Sequence, residues 1–226
     1  MTPECSALPR AVLFDMDGTL VDSTEMWFRA PDELVRQLGY EPKPSLYEST
    51  FPLGTMEIAQ FIHDDYHTRQ SVEEIFSCLD ARLYRYYAQE AALKPGGGTL
   101  VCRLKAAGVK LALTTATMER YARPALQCTG VDALFDLVLT TDRAGCTKRD
   151  PEFFKTALRL LDVQPHEAWL FEDAAYSIRT ARALGLHTCG VADPGAEFDQ
   201  PAVRQAADCF LDTLADWRKL PFADKL

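Results

Sequence analysis

No stretch of about 18 apolar residues, the length a membrane-spanning helix needs, occurs in the sequence. Met1 to Arg10 also lacks the apolar core of a secretory signal. There is no Cys-x-x-Cys pair among the seven cysteines, at 5, 78, 102, 128, 146, 189 and 209, so neither a zinc ribbon nor a disulfide framework is indicated. Positive charge is short as well. The net charge is −9, and no basic patch offsets it, which argues against a partner held through nucleic-acid phosphates. Internal repeats and low-complexity segments are missing too. These absences lead us to expect a cytoplasmic monomer with reduced thiols, no membrane contact and no nucleic-acid partner.

What is present is ordinary in bulk and unusual in one place. The chain has 226 residues, 47% hydrophobic and 25% charged, enough for one large core or a core with a small accessory domain. At its start the apolar run Ala11-Val12-Leu13-Phe14 reads as a short buried strand. That run ends in two carboxylates, Asp15 and Asp17, followed by Gly18-Thr19. Side chains alternate along an extended segment, so the two acids point the same way if that geometry persists. Neighbouring acids at a strand end repel each other. A divalent cation, or a split between nucleophile and acid/base, would justify them.

Beyond this point the chain reads as helical up to residue 93. Met26, Trp27, Ala30, Leu34, Val35 and Leu38 form an apolar stripe over 24–39, and further helical stretches cover 55–66 and 72–93. Lys94-Pro95-Gly96-Gly97-Gly98 is the strongest break and reads as a hinge or linker. After it, strand alternates with helix. Strands are expected at 110–115, 135–140, 168–171 and 188–191, with a weaker one at 208–211. Alternation of this kind implies an α/β fold, a doubly wound parallel sheet with helices on both faces. Residues 1–21 and 95–226 would form this Rossmann-like core, and 22–94 an inserted all-helical domain.

In such sheets ligands gather at the carboxyl ends of the strands. Those ends carry Asp15 and Asp17, then Thr115-Ala116-Thr117, then a loop containing Lys148 with Pro151 opening the next helix, then Glu172-Asp173. A hydroxyl, an ammonium and two acidic pairs on one rim suit a phosphate bound with magnesium, which prefers oxygen ligands.

The order of these residues resembles the four-motif signature of the haloacid dehalogenase superfamily. Asp-Met-Asp-Gly-Thr at 15–19 looks like the first motif and Thr115 like the second. Lys148 in Thr-Lys-Arg-Asp-Pro looks like the third, and Leu-Phe-Glu-Asp-Ala at 170–174 like the fourth. The helical segment lies where relatives of the β-phosphoglucomutase and phosphatase branch carry a C1-type cap. The sequence departs from the family pattern at Arg149, in place of a common proline, and at Ala174 and Ser177, in place of a common serine and glycine.

The resemblance implies a Mg-dependent phosphatase acting on a small phosphorylated metabolite. Asp15 would attack phosphorus to give an aspartyl-phosphate, and Asp17 would serve as acid and then base. Thr115, Ala116, Lys148 and Arg149 would contact the substrate. Asp15, the backbone carbonyl of Asp17 and Asp173 would hold Mg, with Glu172 supporting the metal shell. A phosphomutase of the β-phosphoglucomutase type is the alternative enzyme. Residues 49–58 lie where such mutases place an Arg, and they contain none, which favours hydrolysis. A non-enzymatic phosphate-binding regulatory module is the third reading, though such a protein would be expected to have lost one of Asp15, Asp17, Lys148 or Asp173.

Other candidates have plainer explanations. His63 and His67 approximate a zinc-binding His-x-x-x-His spacing but lack its glutamate, and a solvated helix face is expected. Asp22-Ser23-Thr24 reads as a helix start with a capping side chain. Trp27, Tyr84 and Tyr86 read as core of the helical insertion. Phe51, Met56 and Glu57 are expected on the leaving-group side of the pocket.

Overall fold

The structure is a computed structural model, described here for residues 7–50, 53–196 and 199–226. Strand β1 (Ala11–Phe14) has no exposed side chain. Its residues alternate between two apolar clusters. Val12 and Phe14 join one face of the sheet, while Ala11 and Leu13 join the other with Phe153, Phe154 and Leu158. Burial on both faces is why this strand reads as a continuous apolar run rather than an alternating one.

Four helices follow: α1 (Thr24–Gln37), α2 (Leu46–Thr50), α3 (Thr55–Tyr66) and α4 (Val72–Arg85). A π-helical turn, Tyr86–Glu90, extends α4. No strand lies among the described residues between α1 and this turn. Their apolar stripes share one cluster with Phe14 and Phe171, so the helical insertion packs onto the sheet layer.

The alternating part then runs α5 (Gly97–Ala106), β2 (Lys110–Thr115), α6 (Glu119–Cys128), β3 (Leu137–Thr140) and α7 (Thr141–Ala144). It continues with α8 (Pro151–Leu161), β4 (Ala168–Glu172), α9 (Ala175–Ala183), β5 (His187–Val191), α10 (Gln200–Ala206) and β6 (Cys209–Leu211). All six strands are parallel, in the order β3-β2-β1-β4-β5-β6. The expected α/β class and doubly wound parallel sheet are therefore found. The order of strands along the sheet changes direction between β1 and β4, and the crevice at such a switch point is where these sheets bind ligands. Register fixes what meets there. Phe14 pairs with Leu113 on one side and Phe171 on the other, and Asp15 N–H donates to Phe171 O at 2.9 Å. Asp15 therefore emerges level with the ends of both neighbours.

The glycine run at 96–98 is not the loose linker expected from its composition. Gly97 opens α5 and is buried. Gly96 has φ +87°, and a Cβ there would lie 2.2 Å from the Ala215 nitrogen. Glycine is present for close backbone contact rather than freedom. Lys94 before it is buried, and its ammonium donates to Gly18 O and Ala192 O at 2.7 Å each and pairs with Asp193 at 3.3 Å. The return from the helical insertion is a packed clasp.

Three smaller expectations also change. Ser23 occupies the N-cap position of α1 but makes no side-chain capping bond; its hydroxyl is spent elsewhere, as described below. Tyr84 is 46% exposed rather than core. Glu57 turns back on its own helix, its carboxylate accepting from the Gly54 N–H at 2.7 Å at the start of α3. Phe51 lies outside the described residues. Among those described, no helix is long and apolar enough to cross a membrane.

Candidate active site

The carboxyl edge of β1, β2 and β4 brings together Asp15, Lys148, Glu172 and Asp173. Lys148 reaches in from the loop between α7 and α8 and is 3% exposed. Its ammonium donates to Asp15 Oδ1 and, at 2.9 Å, to Glu172 Oε2. The Asp150 carboxylate caps α8 by accepting from Glu152 N–H at 2.9 Å, and Pro151 occupies the first turn. Together they fix the chain direction just beyond Lys148.

Glu172 is fully engaged. Besides Lys148 it accepts from Ser177 Oγ at 2.6 Å, and from the Asp173 and Ala174 N–H groups at 3.2 Å each. Ser177 thus acquires a role that the sequence reading did not assign. Asp173 Oδ1 accepts from Thr19 Oγ1 at 2.9 Å. Gly18 lets this acid approach the backbone. With φ +76°, a Cβ there would lie 2.6 Å from Asp173 Oδ2 and 2.9 Å from Asp193 Oδ2.

Asp15, Glu172 and Asp173 each offer an oxygen within 4.8 Å of the others. Three acids and one ammonium leave surplus negative charge, and the titration behaviour reflects it. Burial and the Glu172 carboxylate push Asp15 up to about 7, against the opposing pull of Lys148. Asp173 is raised well above the usual carboxylate range by burial and by the charges of Asp15, Glu172 and Asp193. Burial disfavours the Lys148 ammonium, yet the two carboxylates beside it hold its pKa above the ordinary lysine value. A divalent cation fits this donor set, because it would relieve the charge that the lysine leaves uncompensated. Since Glu172 already accepts four hydrogen bonds, Asp15 and Asp173 are the more open ligands.

Asp17 diverges from Asp15 rather than joining it. The chain turns after Phe14, and Asp17 meets three hydroxyls. Tyr87 and Ser23 donate to Oδ1 at 2.5 and 2.6 Å, and Thr117 donates to Oδ2 at 2.5 Å. Thr115 is buried at the end of β2, its Oγ1 accepting from Thr117 N–H at 3.0 Å. Ala116 is exposed, with its carbonyl accepting from Thr141 Oγ1 at 3.1 Å. Arg149 is exposed and places its guanidinium 4.1 Å from the centre of the Tyr176 ring; no contact joins it to the acidic cluster.

His63 Nδ1 lies 3.0 Å from both Thr68 Oγ1 and Gln70 O, and His67 ends α3 in the left-handed conformation. Neither belongs to a metal-ligating group among the described residues. The sequence reading missed Tyr87, Thr19, Lys94 and Asp193. Asp193 had a signal, since it sits two residues beyond β5 at the same sheet edge as the other acids. Its Oδ2 accepts from Thr24 Oγ1 at 2.7 Å.

A profile of haloacid dehalogenase-like hydrolases matches residues 12–191. The chain belongs to that family. Among its relatives, the phosphorylated carbohydrates phosphatase of Thermotoga maritima is 26% identical, over 78% of this chain and 82% of its own. The β-phosphoglucomutase of Bacillus subtilis is also 26% identical, over 93% and 96%. The crystal structure of CbbY from Rhodobacter sphaeroides in complex with phosphate is 28% identical, with a TM-score of 0.77 covering 96% of this chain and 99% of that one. The motif-like segments of this chain sit at the ends of β1, β2 and β4 and in the loop before α8.

Proposed function

We propose that this haloacid dehalogenase-like hydrolase is a Mg-dependent phosphatase of small phosphorylated metabolites, working through an aspartyl-phosphate on Asp15. The observation that carries the reading is the buried meeting of Asp15 with Lys148, Glu172 and Asp173, while Asp17 stands apart on hydroxyl partners. This separation gives two neighbouring carboxyls two different environments, as a nucleophile and an acid/base require.

Asp15 and Asp173, with the Asp17 carbonyl, would hold Mg, and Glu172 would orient the shell through Lys148 and Ser177. When bound, the ion would supply positive charge that offsets the repulsion between a carboxylate nucleophile and a phosphate. A carboxylate oxygen of Asp15 bonds to phosphorus as the ester oxygen departs, and that oxygen takes a proton from Asp17. Water then attacks the aspartyl-phosphate. Asp17 removes the water proton, and phosphate and free Asp15 are released. Lys148 and Thr115 would hold the phosphoryl oxygens as charge moves onto them. Residues 22–94 would act as a cap that closes over the site and selects the organic part of the substrate. The absence of Arg from 49–58 favours hydrolysis over mutase chemistry.

Phosphate release should appear with Mg across a panel of small phosphate esters and disappear on chelation. A phosphoprotein as the best substrate, or full activity in chelator, would overturn the reading. Met56, 49% exposed on the first turn of α3, tests the cap. Met56→Ala should change the ranking of substrates in the panel rather than scale all of them alike.

Metal should also show in stability. The Asp15 carboxyl rises from 3.8 to about 7 on folding, so the folded chain holds that proton more tightly than the unfolded one. Its stabilising contribution is full below about pH 4 and is lost as pH rises through about 7. Above that point a carboxylate is exposed to its neighbours' charge, and Mg competes with fewer protons. The Tm increase produced by Mg should therefore be larger at pH 8 than at pH 5.5. An equal or smaller increase at pH 8 in thermal melts would contradict this.

A further inference from the structure

Tyr87 is fully buried in the π-helical turn that ends the helical insertion, and among the described residues its phenol hydroxyl hydrogen-bonds Asp17. Its ring lies 5.8 Å from that of Tyr121 on α6, stacked, so insertion and sheet layer hold it between them. The direction of its hydrogen bond is fixed from behind. Trp27 Nε1 lies 2.9 Å from the Tyr87 oxygen, and an indole N–H can only donate. The phenol oxygen is the acceptor there, and its own proton points to Asp17 Oδ1, 2.5 Å away. Ser23 Oγ donates to the same oxygen from 2.6 Å. Asp17 Oδ2 faces Thr117, two residues beyond the end of β2, whose hydroxyl donates to a charged Oδ2 and can accept from a protonated one.

We propose that Tyr87, oriented by Trp27, is a positioning residue for Asp17. With Ser23 it occupies Oδ1 with two donors, and so assigns to Oδ2 the proton that is passed to the leaving group. The inference rests on Asp17 being the acid/base. As the Asp15 oxygen–phosphorus bond forms and the ester P–O bond breaks, the proton on Oδ2 moves to the departing oxygen, which leaves as an alcohol. The electron pair of the broken O–H bond stays on Asp17 as a carboxylate, and the two hydroxyls at Oδ1 stabilise that new charge. Tyr87 is suited to the task because the Trp27 N–H occupies its oxygen as an acceptor and leaves the phenol proton for Asp17.

Two generic esters of similar shape test this: 4-nitrophenyl phosphate, whose leaving group needs little protonation, and phenyl phosphate, whose phenolate is more basic. With Mg present, kcat/KM reports the steps up to loss of that group. Tyr87→Phe should lower kcat/KM about tenfold on phenyl phosphate but less than about threefold on 4-nitrophenyl phosphate. Trp27→Phe and Ser23→Ala should show the same skew to a smaller degree, and thermal melts of all three should show a folded protein. Asp17→Asn should be skewed more strongly, and adding Tyr87→Phe to it should cause no further loss. Equal losses on both esters in the Tyr87, Trp27 and Ser23 variants, alongside a skewed Asp17→Asn, would overturn the role of Tyr87 alone. An unskewed Asp17→Asn would instead overturn the acid/base reading on which it rests.

Discussion

Asp15→Asn is expected to lower turnover by on the order of 10⁴-fold or more while leaving the protein folded. The substitution preserves shape, and its remaining carbonyl can still accept from Lys148. It removes a negative charge from a buried cluster that already carries Glu172 and Asp173, so no unfolding is expected from the change itself. What would disappear under the proposed mechanism is the nucleophile, because an amide oxygen does not displace an ester oxygen from phosphorus. The check pairs phosphate release with acid-quenched digestion of wild type and variant. A phosphate adduct should be found on the peptide containing Asp15 in the wild type and be absent from the variant. Near-normal turnover by Asp15→Asn, or an adduct elsewhere, would overturn covalent catalysis at this residue.

Much of this site was legible because its chemistry is written at strand ends. An apolar run that stops at an acid fixes both a strand and the place where its edge meets solvent, so Asp15, Thr115, Lys148 and Glu172-Asp173 could be ordered from sequence alone. The partners of Asp17 could not. Tyr87 is 70 residues away and Thr117 is 100, and only the packing of the π-helical turn against α6 brings the phenol to the carboxylate. Tyr87 looked like one more aromatic on a helical stripe. The glycines at 96–98 misled for a different reason. Composition cannot distinguish a glycine that frees the backbone from one that admits a neighbour, and Gly96 admits the backbone of Ala215. Ser23 and Glu57 each have two plausible uses near a helix start. Ser23 serves the site instead of the cap, and Glu57 serves the cap instead of the pocket. Arg149 was legible as a departure from the family pattern, yet its stacking on Tyr176 depends on α9 lying beside the Lys148 loop.

Lys148 carries the largest expected cost in stability. Its ammonium is buried and paired with two buried carboxylates, Asp15 and Glu172. Lys148→Ala removes the cation and leaves both acids in place, the situation in which breaking a buried pair costs about 3–5 kcal/mol. Most of that cost comes from stranded negative charge, so it should depend on pH in a stated direction. With the lysine present the Asp15 carboxyl already stands near 7, and without it that value moves higher still. At pH 5.5 Asp15 is protonated in both proteins, and the variant loses chiefly the bond to Glu172. At pH 8 the wild type draws on the ion pair and the variant cannot. Denaturant titrations of the metal-free proteins should therefore show a larger difference at pH 8 than at pH 5.5. Mg should recover part of the difference by supplying charge to the same oxygens, without restoring turnover, since the phosphoryl oxygens still lack their ammonium. A loss that is independent of pH and unaffected by Mg would mean that Lys148 acts through packing alone, and its place in the phosphoryl site would have to be abandoned.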